Sequence, residues 1–355
     1  MKKSLLFALL MAGAIHSADA GSVIDQNQQQ VTLPEKVSRL VTFPIPLASM
    51  AMAIDGGTER LAGMNRSALS DIHEGLLGEI YPQARFVPAD IAGEGFAPNV
   101  EAVASARPDA VFQWGDRGND IITPLRQLGL PVVTINYGDS RNAAAWLTLL
   151  GEVLGKPERG QALANWFTRG LDEVEALTRS LNDTQRPRVL YFYRAKSGFQ
   201  VAGKGTSMDS DIRRAGGINM AAALPGFSAV NVEQLMDWDA DIILLNNFEP
   251  DLTPQDIYAD ARLASLKAVT SRRVYSYPRG GFRWEPPSQE SPLTHHWLLA
   301  LFHPNLAPPH FRQRVRDAYR FVYGYDLQDA QIDRILKTAL NNRSQGYCPH
   351  FCDEK

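Results

Sequence analysis

The sequence predicts an α/β protein of two lobes with parallel-rich sheets, joined by one long connecting helix. Three observations carry this prediction. A segment of the first half recurs without a gap in the second half, apolar strands alternate with helical segments, and a helical stretch of about 25 residues separates the halves. Strands that alternate with helices favour parallel sheets, because a parallel connection needs a crossover.

The internal repeat matches residues 99–114 with residues 231–246. Asn-Val-Glu opens both copies, and an aspartate occupies the same later position in each, as Asp109 and Asp241. In each copy we expect the asparagine to cap a short helix with glutamate in its first turn, and an apolar strand to follow. Each copy is therefore predicted to be one α/β unit of its lobe.

Further strands are predicted on either side of each copy. They are residues 39–43 and 131–135 in the first half, and residues 188–192 and 273–277 in the second half. Two terminal helices, over residues 311–321 and 330–340, are predicted to close the second lobe.

The long helix follows Gly155 and Pro157, which mark a stop and a restart. From Leu163 to Leu181 the apolar residues keep to one face at helical spacing. We expect this helix to run along the back of both lobes, with an ordinary helix of one lobe as the alternative. The predicted organisation is a signal peptide over residues 1–20, a first α/β lobe over 21–155, the connecting helix over 156–182, a second α/β lobe over 183–345 and a cysteine-containing tail over 346–355.

The N-terminus and the charge indicate the compartment and exclude one class of partner. Lys2 and Lys3 precede an apolar run from Leu5 to Ile15, and a small-x-small pattern ends at Ala20. This is typical of a cleavable secretory signal, and the run is too short to span a membrane. With 36 Lys and Arg against 39 Asp and Glu, there is no basic excess for nucleic acid. We expect a periplasmic protein that is not embedded in the membrane.

Ligands of open α/β sheets bind outside the carboxyl ends of the strands, so the loops after the predicted strands are the candidate site. These loops combine aromatic side chains with cations, which favours a flat or bulky anion. The predicted ligand-binding residues are Trp114, Arg117 and Tyr137 in the first lobe, and Tyr193, Arg194, Lys196, Arg279, Arg283 and Trp284 in the second. For any single cation, pairing with a neighbouring carboxylate such as Asp116 or Glu285 is the alternative. Hydroxyls at the start of a helix near Ser207 could add an anion contact or a cap.

Catalytic and metal motifs are lacking in the sequence. It contains no G-x-S-x-G elbow, no Walker loop and no H-E-x-x-H, so neither catalytic residues nor a resident cofactor is predicted. His295 and His296 would point about 100° apart on a helix, which is strained for two ligands of one metal. His303 and His310 flank prolines and are expected on the surface. We expect Cys348 and Cys352 to form a disulfide in an oxidising compartment, with a copper or zinc site as the alternative.

Four stretches of the chain resemble periplasmic substrate-binding proteins of ABC importers for ferric siderophores, haem and cobalamin. They are residues 39–44, 99–109, 205–219 and 263–275. The resemblance implies two Rossmann-like lobes joined by one rigid helix, a shallow cleft with little closure, and a permease dimer with its ATPase as partners. Residues 284–293 are similar to members for iron chelates and also to members that take molybdate or tungstate.

The resemblance implies a non-enzymatic, monomeric protein that captures an anionic metal chelate, with a ferric siderophore as the expected ligand. Haem, cobalamin, molybdate or tungstate, and a periplasmic enzyme acting on a metal chelate, are the alternatives. In this family a glutamate from each lobe is expected to dock on the permease, and the matching positions are Glu101 and Glu233. A favourable interaction with the helix dipole is the other explanation for both glutamates.

Overall fold

A computed structural model describes residues 21–138, 140–249 and 251–352. The predicted signal peptide over residues 1–20 lies outside these ranges. No helix within them is both long and apolar enough to cross a membrane.

The first lobe is built on a parallel sheet with the strand order β4-β3-β5-β6. A separate antiparallel hairpin of β1 and β2 precedes it. The strands are β1 (Gly21–Ile24), β2 (Gln30–Leu33), β3 (Leu40–Thr42), β4 (Leu61–Met64), β5 (Ala110–Trp114) and β6 (Val132–Ile135). The helices are α1 (Ile45–Asp55), α2 (Arg66–Glu74), α3 (Leu77–Ile80), α4 (Val100–Ala106), α5 (Thr123–Gln127) and α6 (Ser140–Val153). Every residue of β3 to β6 is buried, as expected for a parallel sheet covered on both faces.

The second lobe follows α7 (Pro157–Thr178) and has a mixed sheet in the order β10-β8-β7-β11-β12, with β9 also paired to β7. Its central strands β7, β11 and β12 are parallel. The strands are β7 (Arg188–Arg194), β8 (Phe199–Ala202), β9 (Ile218–Asn219), β10 (Phe227–Val230), β11 (Ile242–Leu245) and β12 (Val274–Ser276). The helices are α8 (Ser207–Arg214), α9 (Val232–Trp238), α10 (Pro254–Ala259), α11 (Lys267–Thr270), α12 (Ser291–Phe302), α13 (Phe311–Tyr323), α14 (Asp329–Ile335), α15 (Thr338–Asn341) and α16 (Cys348–Phe351). The two-lobe α/β prediction is confirmed.

The internal repeat forms the same local structure in both lobes. The Asn99 side chain caps α4 by accepting from the Ala102 N–H at 3.3 Å, and the Asn231 side chain caps α9 by accepting from the Gln234 N–H at 2.8 Å. Each helix is followed by a buried central strand, β5 or β11. The predicted α/β unit is therefore present twice.

The repeated aspartate fixes the start of the neighbouring strand in each lobe. Asp109 Oδ2 accepts from the Arg39 N–H at 2.9 Å just before β3. Asp241 Oδ2 accepts from the Arg188 N–H at 2.8 Å at the start of β7. A carboxylate at this position satisfies backbone donors that the sheet ladder leaves open at the strand start, which explains why both copies carry aspartate.

The connecting helix α7 contributes to the cores of both lobes. Leu163 and Phe167 are buried in the first-lobe core, and Val174 is buried in a second-lobe core. At Gly170 an added Cβ would lie 2.5 Å from Pro292 Cβ of α12, so glycine allows the two helices to approach closely. Its 22 residues span about 33 Å at 1.5 Å per residue, which is long enough to follow both lobes.

The prediction of one continuous helix over residues 330–340 is wrong, because the segment is divided into α14 and α15. Lys337 between them has a φ of 50°, in the left-handed region. The Leu336 carbonyl accepts hydrogen bonds from the Tyr347 hydroxyl and from the Asn341 side chain, the latter at 3.4 Å. These two side-chain donors take the place of the backbone N–H that would bond to this carbonyl in a continuous helix. Helix α14 therefore ends here.

Glu290 is a fully buried carboxylate that ties together the loop after β12 and helix α13. It accepts hydrogen bonds from the Phe282 N–H at 3.3 Å, Trp284 Nε1 at 2.8 Å, the Tyr319 hydroxyl at 3.0 Å and the Tyr323 hydroxyl at 2.5 Å. Burial raises the pKa of Glu290, and these donors oppose the shift because they stabilise the charged form.

The glycine pair beside Glu290 leaves no room for side chains. An added Cβ on Gly280 would lie 1.9 Å from Glu290 Oε2, and one on Gly281 would lie 2.7 Å from Glu290 Oε1. The Gly280 carbonyl accepts from the Leu76 N–H of the first lobe at 2.8 Å. The loop is therefore fixed to Glu290 on one side and to the first lobe on the other.

We predict that Glu290→Gln lowers the free energy of unfolding by about 2 to 4 kcal/mol. Glutamine replaces one accepting oxygen by an NH2 group, which cannot accept the hydrogen bonds that this oxygen receives. Urea unfolding of the purified variant measures the change. Glu175→Gln is the control, since Glu175 pairs with arginines at the surface and should change stability by less than about 1 kcal/mol. Equal stability of the two variants would contradict the role of Glu290.

The structure joins Cys348 to Cys352 in a disulfide that closes α16. Between them Phe351 is fully buried and its ring lies 5.1 Å from that of Phe311. The segment is thus anchored by packing as well as by the covalent bond.

We predict that Cys348→Ser with Cys352→Ser lowers the free energy of unfolding by no more than about 2 kcal/mol, because so short a loop constrains little chain entropy. Chemical unfolding of the double variant and the parent measures the difference. A thiol count on unfolded, unreduced periplasmic protein should read zero, whereas two free thiols would support the metal alternative.

Candidate ligand-binding site

Three neighbouring strands of the second lobe end in one cluster of aromatic and cationic side chains. Arg194 ends β7, Phe248 follows β11, and Arg283 follows β12. The Arg283 guanidinium lies 4.4 Å from the centroid of the Phe248 ring, and that of Arg194 lies 5.7 Å from it. Two arginines predicted from the sequence are therefore brought to the same ring, at the carboxyl edge of the sheet.

A row of stacked side chains continues from Phe248 toward the edge of the lobe. Tyr193 contacts Phe248 edge-on at 5.3 Å and stacks on Phe227 at 4.1 Å. The Arg194 guanidinium lies 4.1 Å from the Tyr193 ring centroid, a cation–π distance. Phe227 is 44% exposed, so this row presents apolar surface to solvent beside a cation.

The first lobe has its own arginine over aromatic rings. The Arg117 guanidinium lies 4.8 Å from the ring centroid of Phe96, 5.0 Å from that of Trp114 and 5.9 Å from that of Tyr137. The Ser207 N–H of α8 donates to the Tyr137 hydroxyl at 3.4 Å, so Tyr137 lies where the two lobes meet. The Asp116 side chain accepts from the Tyr137 N–H.

Between the lobes lies a charge cluster of three cations and three carboxylates. Its members are Arg279, Arg283, Lys337, Asp71, Glu74 and Glu285. Arg283 Nη2 lies 2.5 Å from Asp71 Oδ1, and Arg279 pairs with Glu74. Both arginines belong to the second lobe and both carboxylates to helix α2 of the first. The ion pairs therefore cross from one lobe to the other.

Asn247 connects the remaining members of this charge cluster. Its N–H and its side-chain amide donate to Glu285 at 2.5 and 3.0 Å. The Lys337 ammonium donates to the Asn247 side-chain oxygen, and Arg279 donates to the Asn247 carbonyl at 3.2 Å. Lys337 lies at the break between α14 and α15.

Burial moves the pKa values of two members of the cluster, Asp71 and Lys337, closer to neutral pH. It raises the pKa of Asp71 to about 7, although Arg283 and Arg279 act in the opposite direction. It lowers the pKa of Lys337 to about 8, with Glu285 opposing. Both groups can therefore change charge near physiological pH.

The predicted ligand contacts have different surroundings. Arg117, Tyr137, Tyr193, Arg194, Arg279 and Arg283 lie at the strand ends described above, and Lys196 is exposed. Trp114 is 3% exposed and Trp284 is fully buried. The Trp284 ring packs in the second-lobe core and its N–H is bonded to Glu290; its assignment as a ligand contact stays a prediction.

Several side chains that contact the candidate site were not predicted from the sequence. They are Asp71, Glu74, Asn247 and Lys337. The alternative partners Asp116 and Glu285 are not the ones that pair with Arg279 and Arg283, whose carboxylates come from the other lobe. An ion pair between such distant residues leaves no local signal in the sequence.

Polar side chains also connect the lobes beside α8. The Asp211 carboxylate accepts from the Ser140 hydroxyl at 2.6 Å and lies 2.8 Å from His295 Nε2. Thr206 caps α8, so neither Ser207 nor Asp209 does so.

Three of the six histidines in the described ranges are buried. His295 and His296 are both buried, and His303 is buried rather than on the surface as predicted, because its ring bonds to the Gly216 carbonyl at 3.0 Å. Across the described ranges, no group of three or more His, Cys, Asp or Glu is placed to hold a metal ion.

Glu101 and Glu233 occupy equivalent exposed positions. Each lies in the first turn of its helix, α4 or α9, directly after the capping asparagine. Both side chains are exposed to solvent. The assignment of these glutamates to permease docking stays a prediction.

Comparison with known proteins identifies the family. The periplasmic binding protein family matches residues 92–279. The molybdate-binding protein MolA of Haemophilus influenzae is 26% identical over 348 residues, which cover 90% of this chain and 96% of MolA. The structure of MolA bound to molybdate has a TM-score of 0.75 at 22% identity, covering 87% of this chain and 99% of that one.

Two further structures share the fold. A periplasmic solute-binding protein from Veillonella parvula is 30% identical with a TM-score of 0.84, covering 91% of this chain and 99% of that one. The periplasmic haem-binding protein RhuT from Roseiflexus sp. RS-1 is 21% identical with a TM-score of 0.61, covering 77% and 100%. The chain therefore belongs to the periplasmic binding protein family, as a solute-binding protein of an ABC transporter and not an enzyme.

Proposed function

We propose that this protein captures a compact oxyanion of the molybdate type between its lobes and delivers it to an ABC permease dimer and its ATPase. The observation that carries the proposal is the pair of guanidiniums of Arg194 and Arg283 beside the ring of their shared neighbour Phe248. An aromatic ring supports a guanidinium through its face and leaves the N–H edge free for an anion. The 26% identity to a molybdate-binding relative also supports an oxyanion.

Charge-assisted hydrogen bonds suit such a ligand. A tetrahedral dianion offers acceptors in several directions, and arginines from two strand ends, those of β7 and β12, can donate to it together. Each such bond contributes about 1.5 to 3 kcal/mol. Arg279 and Arg283 are already held at fixed positions by the Glu290 network, which limits the entropy lost on binding.

An iron chelate, the ligand expected from the sequence, is the second candidate. The stacked row of Phe227 and Tyr193 favours it, because an exposed aromatic face beside Arg194 suits a flat, negatively charged chelate. Titration of the same protein with molybdate and with a ferric catecholate separates the two candidates.

Delivery requires export and docking. We propose that the chain reaches the periplasm through cleavage of residues 1–20, and that Glu101 and Glu233 dock on the two permease subunits. Both glutamates are exposed and lie on lobes that share the helix α7, so their spacing is held by the fold. Exposed charges contribute to orientation and association rate more than to stability.

We predict that replacing Arg194, Arg279 or Arg283 singly with Ala weakens molybdate binding about ten- to a hundredfold, at about 1.4 kcal/mol per decade. Tryptophan fluorescence titration measures the dissociation constants. Arg272→Ala is the matched control, because Arg272 also lies over an aromatic ring, Tyr258 at 4.3 Å, but just before β12 at the opposite edge of the sheet. Unchanged affinity in all three cleft variants would exclude an anionic ligand at this site.

We predict that Glu101→Ala with Glu233→Ala abolishes uptake through the cognate transporter while thermal stability and ligand affinity stay nearly unchanged. Uptake of labelled ligand by whole cells measures transport. Glu158→Ala with Asp183→Ala is the control, since these exposed carboxylates also lie in the first turns of helical segments. Normal uptake by the Glu101 and Glu233 variant would leave both glutamates as helix-dipole partners only.

A further inference from the structure

The guanidinium that the ligand needs is already occupied by a carboxylate of the other lobe. Asp71 Oδ1 lies 2.5 Å from Arg283 Nη2, and the Asp71 side chain is 1% exposed. Arg279 lies 4.0 Å from the same oxygen. An anion that binds Arg283 would therefore share it with a buried negative charge at short range.

The cluster is electrically balanced only while it is empty. With every group ionised, Arg279, Arg283 and Lys337 supply three positive charges, and Asp71, Glu74 and Glu285 supply three negative charges. Arg194, which the proposed site adds, supplies a fourth positive charge, so a bound dianion would leave an excess of one negative charge in a region mostly shielded from water. Like charges at such distances repel strongly when the local dielectric constant is low, so binding favours the loss of one negative charge.

Asp71 is the carboxylate best placed to lose its charge. Glu285 already accepts two hydrogen bonds from Asn247, which a proton would have to displace. Glu74 is 43% exposed and paired with Arg279. Asp71 is buried, faces Arg283 and Arg279, and has Glu285 and Glu74 as negative neighbours; burial already raises its pKa to about 7.

We propose that Asp71 is a proton-coupled competitor for the ligand, so that the protein takes up one proton when an oxyanion replaces Asp71 at Arg283. The inference rests on the proposed oxyanion function. The step balances with one proton taken from solvent onto an Asp71 oxygen, and no other bond forms or breaks. The protonated carboxyl then has an O–H to donate, whereas the ionised carboxylate would repel the anion.

The sign of the pH dependence follows from this linkage. A bound anion raises the pKa of Asp71 further, because it is a like charge. Between the pKa values of the free and bound forms, affinity should fall about tenfold for each unit by which the pH rises. Below about pH 6 Asp71 is already protonated in the free protein, so affinity should level off.

Isothermal titration calorimetry of the full mature protein with sodium molybdate and sodium tungstate tests the proposal. At about pH 8, in Hepes and Tris buffers whose ionisation enthalpies differ, we expect Asp71 to take up close to one proton per anion bound, with a smaller additional uptake by Lys337, whose pKa of about 8 the anion would also raise. Molybdate stays a dianion over this range, so its own titration contributes nothing.

Two variants assign the proton to its residue. Asp71→Asn, a neutral side chain of the same shape, should remove close to one proton from the uptake, leaving only the smaller part taken up by Lys337, and tighten binding about tenfold at pH 8. Asp55→Asn is the matched control, because Asp55 pairs with Arg60 at 2.5 Å and Lys156 at 2.8 Å at the far end of α1; it should keep the proton uptake of the parent.

The outcomes are distinguishable. Tight binding by the parent protein without proton uptake overturns the role of Asp71 and leaves the oxyanion function standing, and this result needs no variant to fold. Proton uptake in Asp71→Asn as large as that of the parent also overturns it. Failure to bind either molybdate or tungstate at any pH overturns the oxyanion function and this inference with it.

Discussion

The position of the cleft arginines depends on the burial of one carboxylate, Glu290. Removing a charge from water is unfavourable unless donors replace the lost solvent, and here the donors come from the loop after β12 and from α13. Gly280 and Gly281 are the residues that allow this approach, since any Cβ would collide with Glu290. The loop that carries Arg279 and Arg283 therefore cannot adjust freely to a ligand.

This constraint acts on both lobes. The Gly280 carbonyl bonds to the Leu76 N–H of the first lobe, and the ion pairs to α2 lie next to it. At the back, α7 contributes buried side chains to both cores. The lobes are thus joined through a helix on one side and through the arginine loop on the other. Selectivity must then come from groups already in place.

Local signals were enough to predict most of the fold and part of the site. The repeated asparagine caps, the buried strands and α7 follow from residue spacing within a few turns, because each depends on near neighbours. The break at Lys337 cannot be predicted from local spacing, because it depends on Tyr347 and Asn341 donating hydrogen bonds to the Leu336 carbonyl. The ion pairs of Arg283 with Asp71 and of Arg279 with Glu74 cannot be predicted in this way either, because each joins residues roughly two hundred positions apart. Trp284 shows the remaining ambiguity: an aromatic residue after a strand fits a ligand site or a core equally well until an acceptor such as Glu290 is found beside its N–H.

A binding protein for an importer must release its ligand as well as hold it. A buried arginine left without any counter-charge is strongly unfavourable, so a site built from unpaired guanidiniums would retain an anion too tightly for delivery. Here Arg283 exchanges the ligand for Asp71, and Arg279 keeps Glu74. Neither guanidinium is left without a carboxylate when the ligand leaves, which lowers the free-energy difference between the loaded and empty states. The same carboxylates that weaken binding therefore make release possible. The affinity of the site then depends on the competition between the anion and these carboxylates for the arginines, as much as on the contacts that the anion makes.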